Sequence, residues 1–238
     1  MTTAIETRGL TKQLGDVLAV DDLDLSISSG TVYGFVGPNG AGKTTTIRML
    51  VGLLSPDAGT ALVDGTAASN RKELTDTVGY LPAEAPLYDE LTGREQLQYA
   101  AQFRRLDDGD RVEHALERYD LVDAADRRVS GYSTGMRRKL GLAQATLHDP
   151  PILILDEPLN GLDPGATRTV RELVNEVSDD GTTVMISSHD LATVESICDQ
   201  VGIVSDGRLV ADASPESLSA SVAEDADLEA AVIELTDQ

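Results

Sequence analysis

The sequence predicts an α/β protein built around a mostly parallel β-sheet. Three observations support this fold class. Short apolar segments typical of strands alternate with helical segments, a glycine-rich turn joins a buried strand to an apolar helix, and a long helical stretch interrupts the alternation. We therefore expect one unit with two lobes, a core of residues 1–84 and 149–213 and a helical lobe at about 85–148. Residues 214–238 are acidic, and we expect them to form a helical extension.

The first strands differ in their apolar pattern. Apolar residues recur at about every second position in residues 4–10 and 23–27, which is typical of short strands with one face against a core. Residues 31–36 instead carry apolar side chains on both faces, as in a buried parallel strand.

The remaining elements follow from the spacing of apolar residues and from turn signals. Helices are expected at residues 43–53, 91–103, 109–119 and 136–147, and after Pro215. Strands are expected at residues 60–63, 152–155, 182–187, 201–205 and 208–211. The pairs Asp64–Gly65 and Asp206–Gly207 are typical of hairpin turns.

The chain is strongly acidic. It has 41 acidic residues against 19 basic ones, a net charge of −22, and only four of the bases are lysines. This charge excludes a general binder of nucleic acid or anionic lipid, because no extended basic surface is available to phosphate groups. Many carboxylates and few lysines resemble cytoplasmic proteins of salt-accumulating (halophilic) organisms, in which salt screens carboxylate repulsion. An acidic protein from an ordinary cytoplasm is the alternative.

The single cysteine, Cys198, excludes an internal disulfide and fits a reducing compartment. We expect it to be a small core residue of an apolar helix. The first ten residues lack the charged start and apolar stretch of a secretion signal. No apolar run approaches the ~18 residues of a membrane span. A cytoplasmic protein is expected.

Residues 37–45 read GPNGAGKTT and match the phosphate-loop pattern G-x-x-x-x-G-K-[ST] in full. Their glycines let backbone amides turn toward a phosphate without a Cβ that would crowd the anion, and the following helix adds its positive N-terminus. The pattern places the Lys43 ammonium on the β- and γ-phosphates and the Thr44 hydroxyl on Mg²⁺. The residues expected to bind nucleotide here are Gly37, Pro38, Asn39, Gly40, Ala41, Gly42, Lys43, Thr44 and Thr45.

Two carboxylates follow the apolar strand expected at residues 152–155. Such a position lies at the edge of a parallel sheet where ligands bind, beside the phosphate loop. Asp156 is expected to hold Mg²⁺. Glu157 is placed to orient the water that attacks the γ-phosphate, or to accept its proton.

A third segment, residues 131–139, combines a helix start with positive charge. Ser133 is a good N-cap, and free amides at a helix start form an anion site. Five of the nineteen bases fall within residues 127–139.

In their order, these segments resemble an ABC ATPase. The phosphate loop, the serine-glycine signature, LDEP at residues 155–158, GLDP at 161–164 and His189 span residues 10–213. The resemblance is to the ATP-binding subunit of an exporter-type ABC transporter. It implies a RecA-like P-loop NTPase core with an N-terminal antiparallel β lobe and an inserted helical lobe.

The resemblance also implies site roles and partners. Two subunits, a homodimer or pseudo-dimer, would pair head to tail, with each nucleotide between one phosphate loop and the partner's signature. His189 would reach the γ-phosphate, as a catalytic residue with Glu157 and Lys43. Further nucleotide contacts would come from Leu14, Val20, Ser133, Thr134, Gly135, Met136 and Asp163.

Four positions depart from the family pattern. Thr134 replaces a signature glycine and Met136 a glutamine. Leu14 stands where an aromatic residue often stacks on adenine, so base discrimination is expected to be weak. Ala83 replaces the glutamine that contacts Mg²⁺ and the attacking water. Either the neighbouring Glu84 takes over, or water fills the gap.

The function implied is Mg·ATP hydrolysis that drives a separate membrane permease, in the direction of export. The protein would lie on the inner face of the cell membrane, with residues 87–103 docking the permease. Two alternatives stay open: a cytosolic ABC ATPase that acts in assembly without a transporter, and a nucleotide-gated module with weak hydrolysis. His114 and His148 match no motif and are expected at the surface.

Overall fold

A computed structural model describes residues 2–106, 109–222 and 227–236. The strands are β1 Thr3–Leu14, β2 Val17–Ser28, β3 Val32–Val36, β4 Ala58–Val63, β5 Thr66–Ala67, β6 Val78–Leu81, β7 Ile152–Asp156, β8 Thr183–Ser188, β9 Gln200–Ser205 and β10 Arg208–Ala213. The helices are α1 Lys43–Leu50, α2 Arg71–Thr77, α3 Gly93–Arg104, α4 Gly109–Arg118, α5 Thr134–Thr146, α6 Pro164–Asp179, α7 Leu191–Ile197, α8 Pro215–Val222 and α9 Leu228–Thr236. Two sheets with helices packed on them confirm the α/β fold class.

The N-terminal sheet has the order β2-β1-β4-β5, and each neighbouring pair in it is antiparallel. Alternate residues of β2, such as Leu23, Leu25 and Ile27, are buried, as their two-residue period predicts. Both β1 and β2 extend beyond the predicted residues toward their common hairpin. Register shifts interrupt their pairing there, which is why the alternation fades in the sequence.

The second sheet has the order β10-β9-β3-β8-β7-β6. Its strands from β9 to β6 are parallel, and β10 is antiparallel at one edge. The three central strands β3, β8 and β7 are buried along their whole length. Their carboxyl ends therefore meet at one edge, where the motif residues lie.

Helices α3 to α5 are inserted between β6 and β7. Thr92 and Glu95 form a capping box that begins α3, and the Ser133 side chain begins α5 by accepting a hydrogen bond from the amide of Met136. Leu97 and Leu140 of these helices share one continuous apolar core with the parallel sheet. The inserted helices thus have no separate core.

Some short elements were not predicted from the sequence. Strand β5 and helix α2 have few buried residues, and Leu74 is the only buried residue of α2. Helix α1 ends earlier than predicted, at Leu50, and Gly52 has a φ of 70° in the following turn. Such short or terminal segments carry too few apolar positions to define a period.

Two single-residue expectations need correction. Cys198 is buried, but it caps the end of α7 and does not lie within a helix. His148 is not a surface residue, because both of its ring nitrogens are shielded from solvent. Burial and the nearby Arg104 lower the pKa of His148 to about 4. His114 is exposed, as expected.

The last two helices pack against the parallel sheet. Helix α9 contacts α7, β9 and β10, and buries Leu228, Ala231 and Val232 in the main core. Residues 223–226 and 237–238 of the predicted extension lie outside the described residues. None of the described helices combines the length and apolar character that a membrane span requires.

Candidate functional site

The loop between β3 and α1 has two positions that only glycine fits. Gly37 has a φ of 154°, and a Cβ there would lie 2.1 Å from the carbonyl oxygen of Val204. Gly42 has a φ of 102°, and its Cβ would lie 2.3 Å from the carbonyl oxygen of Ala19. A side chain at either glycine would thus collide with the protein's own backbone, and not only with a bound anion.

Lys43 lies in the hollow of this loop. Its Nζ donates hydrogen bonds to the carbonyl oxygens of Gly37, at 2.6 Å, and Pro38, at 3.1 Å. Burial lowers the pKa of Lys43, and the charges of Glu157 and Asp156 oppose that shift. The ammonium is thus held among carbonyl groups at the position where the motif expects phosphate oxygens.

Asp156 ends β7 and is 1% exposed. The parallel register pairs it with Ser187 of β8, whose hydroxyl donates a hydrogen bond to Asp156 Oδ1 at 2.7 Å. The hydroxyl of Thr44 lies 3.3 Å from the same oxygen. A hydroxyl and a carboxylate at this spacing are oxygen ligands of the kind that Mg²⁺ prefers.

Glu157 adopts a left-handed backbone conformation with a φ of 48°. Its amide donates to both the carbonyl and the hydroxyl oxygen of Ser187, at 3.1 and 3.0 Å. Its Oε2 lies 2.7 Å from Nδ1 of His189, and its Oε1 lies 3.9 Å from Nζ of Lys43. A non-glycine residue in this conformation costs free energy, and such strain concentrates at functional sites.

The site thus combines a buried ammonium, an oxygen pair suited to a divalent cation and a carboxylate held by a histidine. The sequence model described as "ABC transporter" matches residues 20–160, more than half of the chain. The chain belongs to the ABC transporter family. It is an ATPase, the ATP-binding subunit of a transporter.

Similar proteins include two curated relatives and one solved structure. The bacitracin transport ATP-binding protein of Bacillus licheniformis is 40% identical over 212 residues, which cover 88% of this chain and 69% of that protein. A daunorubicin resistance ATP-binding protein of Streptomyces coeruleorubidus is 38% identical over 227 residues, covering 94% and 72%. The structure of an ATP-binding subunit of an ABC transporter matches with a TM-score of 0.89 and 30% identity, over 98% of this chain and 99% of that chain.

The predicted signature segment lies at the start of α5. Ser133 and Thr134 are exposed, and the Ser133 hydroxyl accepts the amide of Met136 at 3.2 Å. Gly135 faces the start of α6, where its Cβ would lie 3.2 Å from the Cβ of Ala166. The Met136 side chain packs against the core and so offers a ligand little beyond its backbone. Among the described residues, no hydrogen bond joins this segment to the phosphate loop.

The other residues that were predicted to contact the nucleotide differ in their exposure. Leu14 lies at the hairpin of β1 and β2 with Val17 and Leu18, and all three are exposed. Val20 is fully buried, because the two-residue period of β2 points it into the N-terminal lobe. Its prediction as a nucleotide contact is therefore not supported by its placement. Asp163 is exposed and caps α6, accepting the amide of Ala166 at 2.9 Å.

Ser187 is a residue of the candidate site that no sequence motif predicted. This residue connects the two carboxylates, because its hydroxyl donates to Asp156 while its carbonyl and hydroxyl oxygens accept the amide of Glu157. The available signal was a pair of polar residues, Ser187 and Ser188, that ends an otherwise apolar strand just before His189.

Proposed function

We propose that this subunit binds and hydrolyses Mg·ATP in a head-to-tail dimer and thereby powers export through a separate membrane permease. The observation that carries the proposal is the meeting of Lys43, Asp156, Glu157 and His189 at the carboxyl ends of the central strands. Parallel sheets bind their ligands at this edge. A phosphate loop, oxygen ligands and a positioned carboxylate are the parts that hydrolysis of a phosphoanhydride requires.

The phosphates are bound by the loop and Lys43. The Lys43 ammonium exchanges its two carbonyl partners for the β- and γ-phosphate oxygens, which are stronger, charged acceptors. Backbone amides at the start of α1 face the same anion. The further contacts proposed in this loop are those of Pro38, Asn39, Gly40, Ala41 and Thr45.

Thr44 and Asp156 supply the metal ligands. The described residues contain no cluster of three or more metal-binding side chains, so the protein contributes one hydroxyl and one carboxylate. Mg²⁺ commonly binds in this manner, with the remaining positions filled by phosphates and water. When bound, Mg²⁺ neutralises charge on the phosphates. Ser187 holds Asp156 in place through its hydroxyl.

Glu157 orients the attacking water or accepts its proton. His189 holds one carboxylate oxygen at 2.7 Å, and the amide hydrogen bonds to Ser187 fix the backbone. The other oxygen faces Lys43 and therefore the γ-phosphate. His189 is largely exposed, so its ring is also accessible to the phosphate.

A second subunit completes the site. Ser133, Thr134 and Gly135 present a helix N-terminus, but no described hydrogen bond connects them to the phosphate loop of their own chain. The amides of Thr134 and Gly135 lie at the anion-binding end of α5. In a head-to-tail dimer these groups bind the γ-phosphate held by the partner, and Asp163 lies in the contact loop.

The permease docks on a groove between the core and the inserted helices. The groove has a volume of about 180 Å³ and is lined by Val51, Leu53, Arg71, Leu74, Thr75, Val78, Tyr80, Phe103 and Arg104. Phe103 is 77% exposed, and Tyr99 and Leu53 are about half exposed. Exposed large apolar side chains that adjoin one another mark an interaction surface. This surface includes the end of the predicted docking segment, residues 87–103.

The names of two relatives support the proposed direction of transport and the proposed location. Two of them are named for bacitracin transport and for daunorubicin resistance. These names support export of a drug-like molecule and a position on the inner face of the membrane, held by the permease. The charge of −22 supports a cytoplasm of high salt.

We propose that the three parts of the chain expected from the sequence have different roles. Residues 1–84 and 149–213 form the nucleotide-binding core, and residues 85–148 carry the signature and the docking surface. Residues 214–238 form the extension, whose α8 and α9 pack on the core.

The experiment is the substitution Glu157→Gln. Glutamine keeps the shape and the hydrogen-bonding oxygen of the side chain but cannot accept the proton, so ATP should bind and remain unhydrolysed. The variant should then accumulate as an ATP-dependent dimer on size-exclusion chromatography.

The control is Lys43→Ala, which should lose nucleotide binding itself in a titration with fluorescent ATP and should stay monomeric. Hydrolysis by Glu157→Gln within a few-fold of the unchanged chain would contradict the role of Glu157. A monomeric Glu157→Gln with ATP bound would contradict the dimer.

A further inference from the structure

Arg138 is a buried charge behind the candidate site. It lies in the second turn of α5, and only 7% of its surface is exposed. Burial lowers the pKa of its guanidinium, and the charges of Asp156 and Glu157 oppose that shift. A buried cation costs free energy unless close partners offset it, so stability alone does not explain its presence.

The contacts of Arg138 are few for its chemistry. A guanidinium carries five N–H donors, and one of them donates to the carbonyl oxygen of Pro82 at 3.3 Å. No ion pair of Arg138 is found in the described part of the chain. Lys139, the next residue, instead pairs with Asp120 at 3.0 Å on the surface. Within the described ranges, the one direct polar partner of the Arg138 side chain is therefore the carbonyl of Pro82, at the start of the loop that follows β6.

That loop lacks the side chain expected at position 83. Ala83 has no polar group, and Glu84 is exposed, so its carboxylate lies in solvent. Beside the loop is a cavity of about 330 Å³, lined by Ala83, Glu84, Ala85, Thr134, Arg137 and Arg138. The Arg138 side chain thus borders the space next to the position where an amide group is missing.

We propose that Arg138 is a positioning residue, which connects the signature helix to the catalytic carboxylates through the carbonyl of Pro82. This inference rests on the proposed function of the same site. Arg138 belongs to the helix that begins with the signature and donates to Pro82 at the end of β6. Strand β6 pairs with β7 in parallel, with Leu81 beside Leu155, so Pro82 lies next to the strand end that carries Asp156. Arg137 of α5 donates to Asp89 farther along the same loop, but no other described side chain of α5 makes a hydrogen bond to residues 82–85.

Arg138 would transmit a movement of α5, caused by the partner's nucleotide, to the catalytic carboxylate of its own subunit. The start of α5 binds a nucleotide held by the partner. Because α5 is a rigid helix, any displacement of its start also displaces Arg138. The guanidinium then shifts the Pro82 carbonyl and the electrostatic field at Glu157 together. Arg138 therefore acts on turnover through Glu157, and the affinity for ATP depends on the separate phosphate loop.

The test is Arg138→Met in the full chain, a residue of similar length without charge. Apolar replacement of a buried charge is often neutral or stabilising, so the melting temperature should be unchanged or higher. The affinity for Mg·ATP should stay within about twofold, whereas kcat should fall at least tenfold. Arg138→Lys keeps the charge and one donor for Pro82, and should recover part of kcat.

Lys139→Met is the matched control, because it removes a long cation from the next position of the same helix without touching the loop. It should leave kcat within about twofold. The proposal is overturned if Arg138→Met keeps kcat within twofold, if its melting temperature falls in step with kcat, or if Lys139→Met lowers kcat equally. Turnover by the unchanged chain, measured in the same series, tests the proposed function separately.

Discussion

The buried histidine shows how a single side chain depends on its surroundings. Both ring nitrogens of His148 are shielded from solvent, and the ring lies near Arg104. Protonation would place a second positive charge beside that guanidinium in a poorly solvated position. The carboxylates Asp149 and Asp76 offset this effect only in part, and the pKa stays at about 4.

His148 should therefore make stability depend on pH. In the unfolded chain it binds a proton near pH 6.5, whereas in the folded chain it stays neutral down to about pH 4. The unfolded state thus binds more protons in this window, and the free energy of unfolding falls as the pH decreases. Because part of the ring is solvated, we expect a loss of about 1 kcal/mol between pH 7 and pH 5.

Urea unfolding of the unchanged chain and of His148→Gln at both pH values measures this loss. Glutamine does not titrate, and the many carboxylates contribute equally to both proteins, so their difference isolates His148. The gap between the two unfolding free energies should move in favour of the variant at pH 5. Parallel pH dependence of the two proteins would show that His148 titrates alike in both states.

At the scale of elements, the hairpin of β1 and β2 is where we propose that the base of the nucleotide binds. Leu14, Val17 and Leu18 form an exposed aliphatic surface there. The neighbouring polar side chains are engaged elsewhere, since Gln13 donates to the carbonyl of Gly15 and Lys12 pairs with Asp57. The contact that we propose between this hairpin and the base is therefore mainly apolar.

Leu14→Tyr should strengthen ATP binding, because an aromatic ring stacks on a base more favourably than an aliphatic chain does. We expect a several-fold lower dissociation constant, in keeping with ~1 kcal/mol for such a contact. Isothermal titration with ATP measures the gain, and inorganic tripolyphosphate, which lacks a base, is the control ligand. An equal fall of the dissociation constant for both ligands would show that the substitution acts through the phosphate loop.

In the unchanged chain, the affinities for ATP and GTP should be similar.

At the scale of the whole molecule, charge opposes both folding and assembly. Each chain carries −22, and a dimer brings two such charges together. The described ion pairs between the inserted helices and the core, such as Arg118 with Glu176 at 3.0 Å and Arg111 with Asp149 at 2.6 Å, are largely at the surface. Surface pairs contribute little, so repulsion dominates the response to salt.

Raising KCl from 0.1 M to 1 M should therefore stabilise the protein. The Debye length falls from ~10 Å to ~3 Å over this range, and salt weakens the repulsion within and between chains. The melting temperature and the ATP-dependent dimer fraction of Glu157→Gln should both rise. Repeated measurements in the same buffer at a constant 0.1 M KCl serve as the baseline. Values that do not change with KCl would contradict the halophilic interpretation and leave the ATPase intact.

Several parts of this protein are determined by the sequence alone. The phosphate-loop pattern, the buried strands β3 and β7 and the turn at Asp206 and Gly207 depend on residues that are near one another in the chain. Periodicity and turn chemistry are local properties, so a reader of the sequence recovers them without knowing the fold. Family membership follows from the order of such local motifs.

Only the tertiary structure decided the contacts between distant residues. The register of β7 against β8 places Ser187 on Asp156, and the packing of α5 buries Arg138 near the carboxylates. The inward face of β2 buries the side chain of Val20, and the packing around His148 shields its ring nitrogens. The physical reason is that register and burial arise from the summed packing of whole elements, and no local pattern of residues specifies which distant side chains then meet.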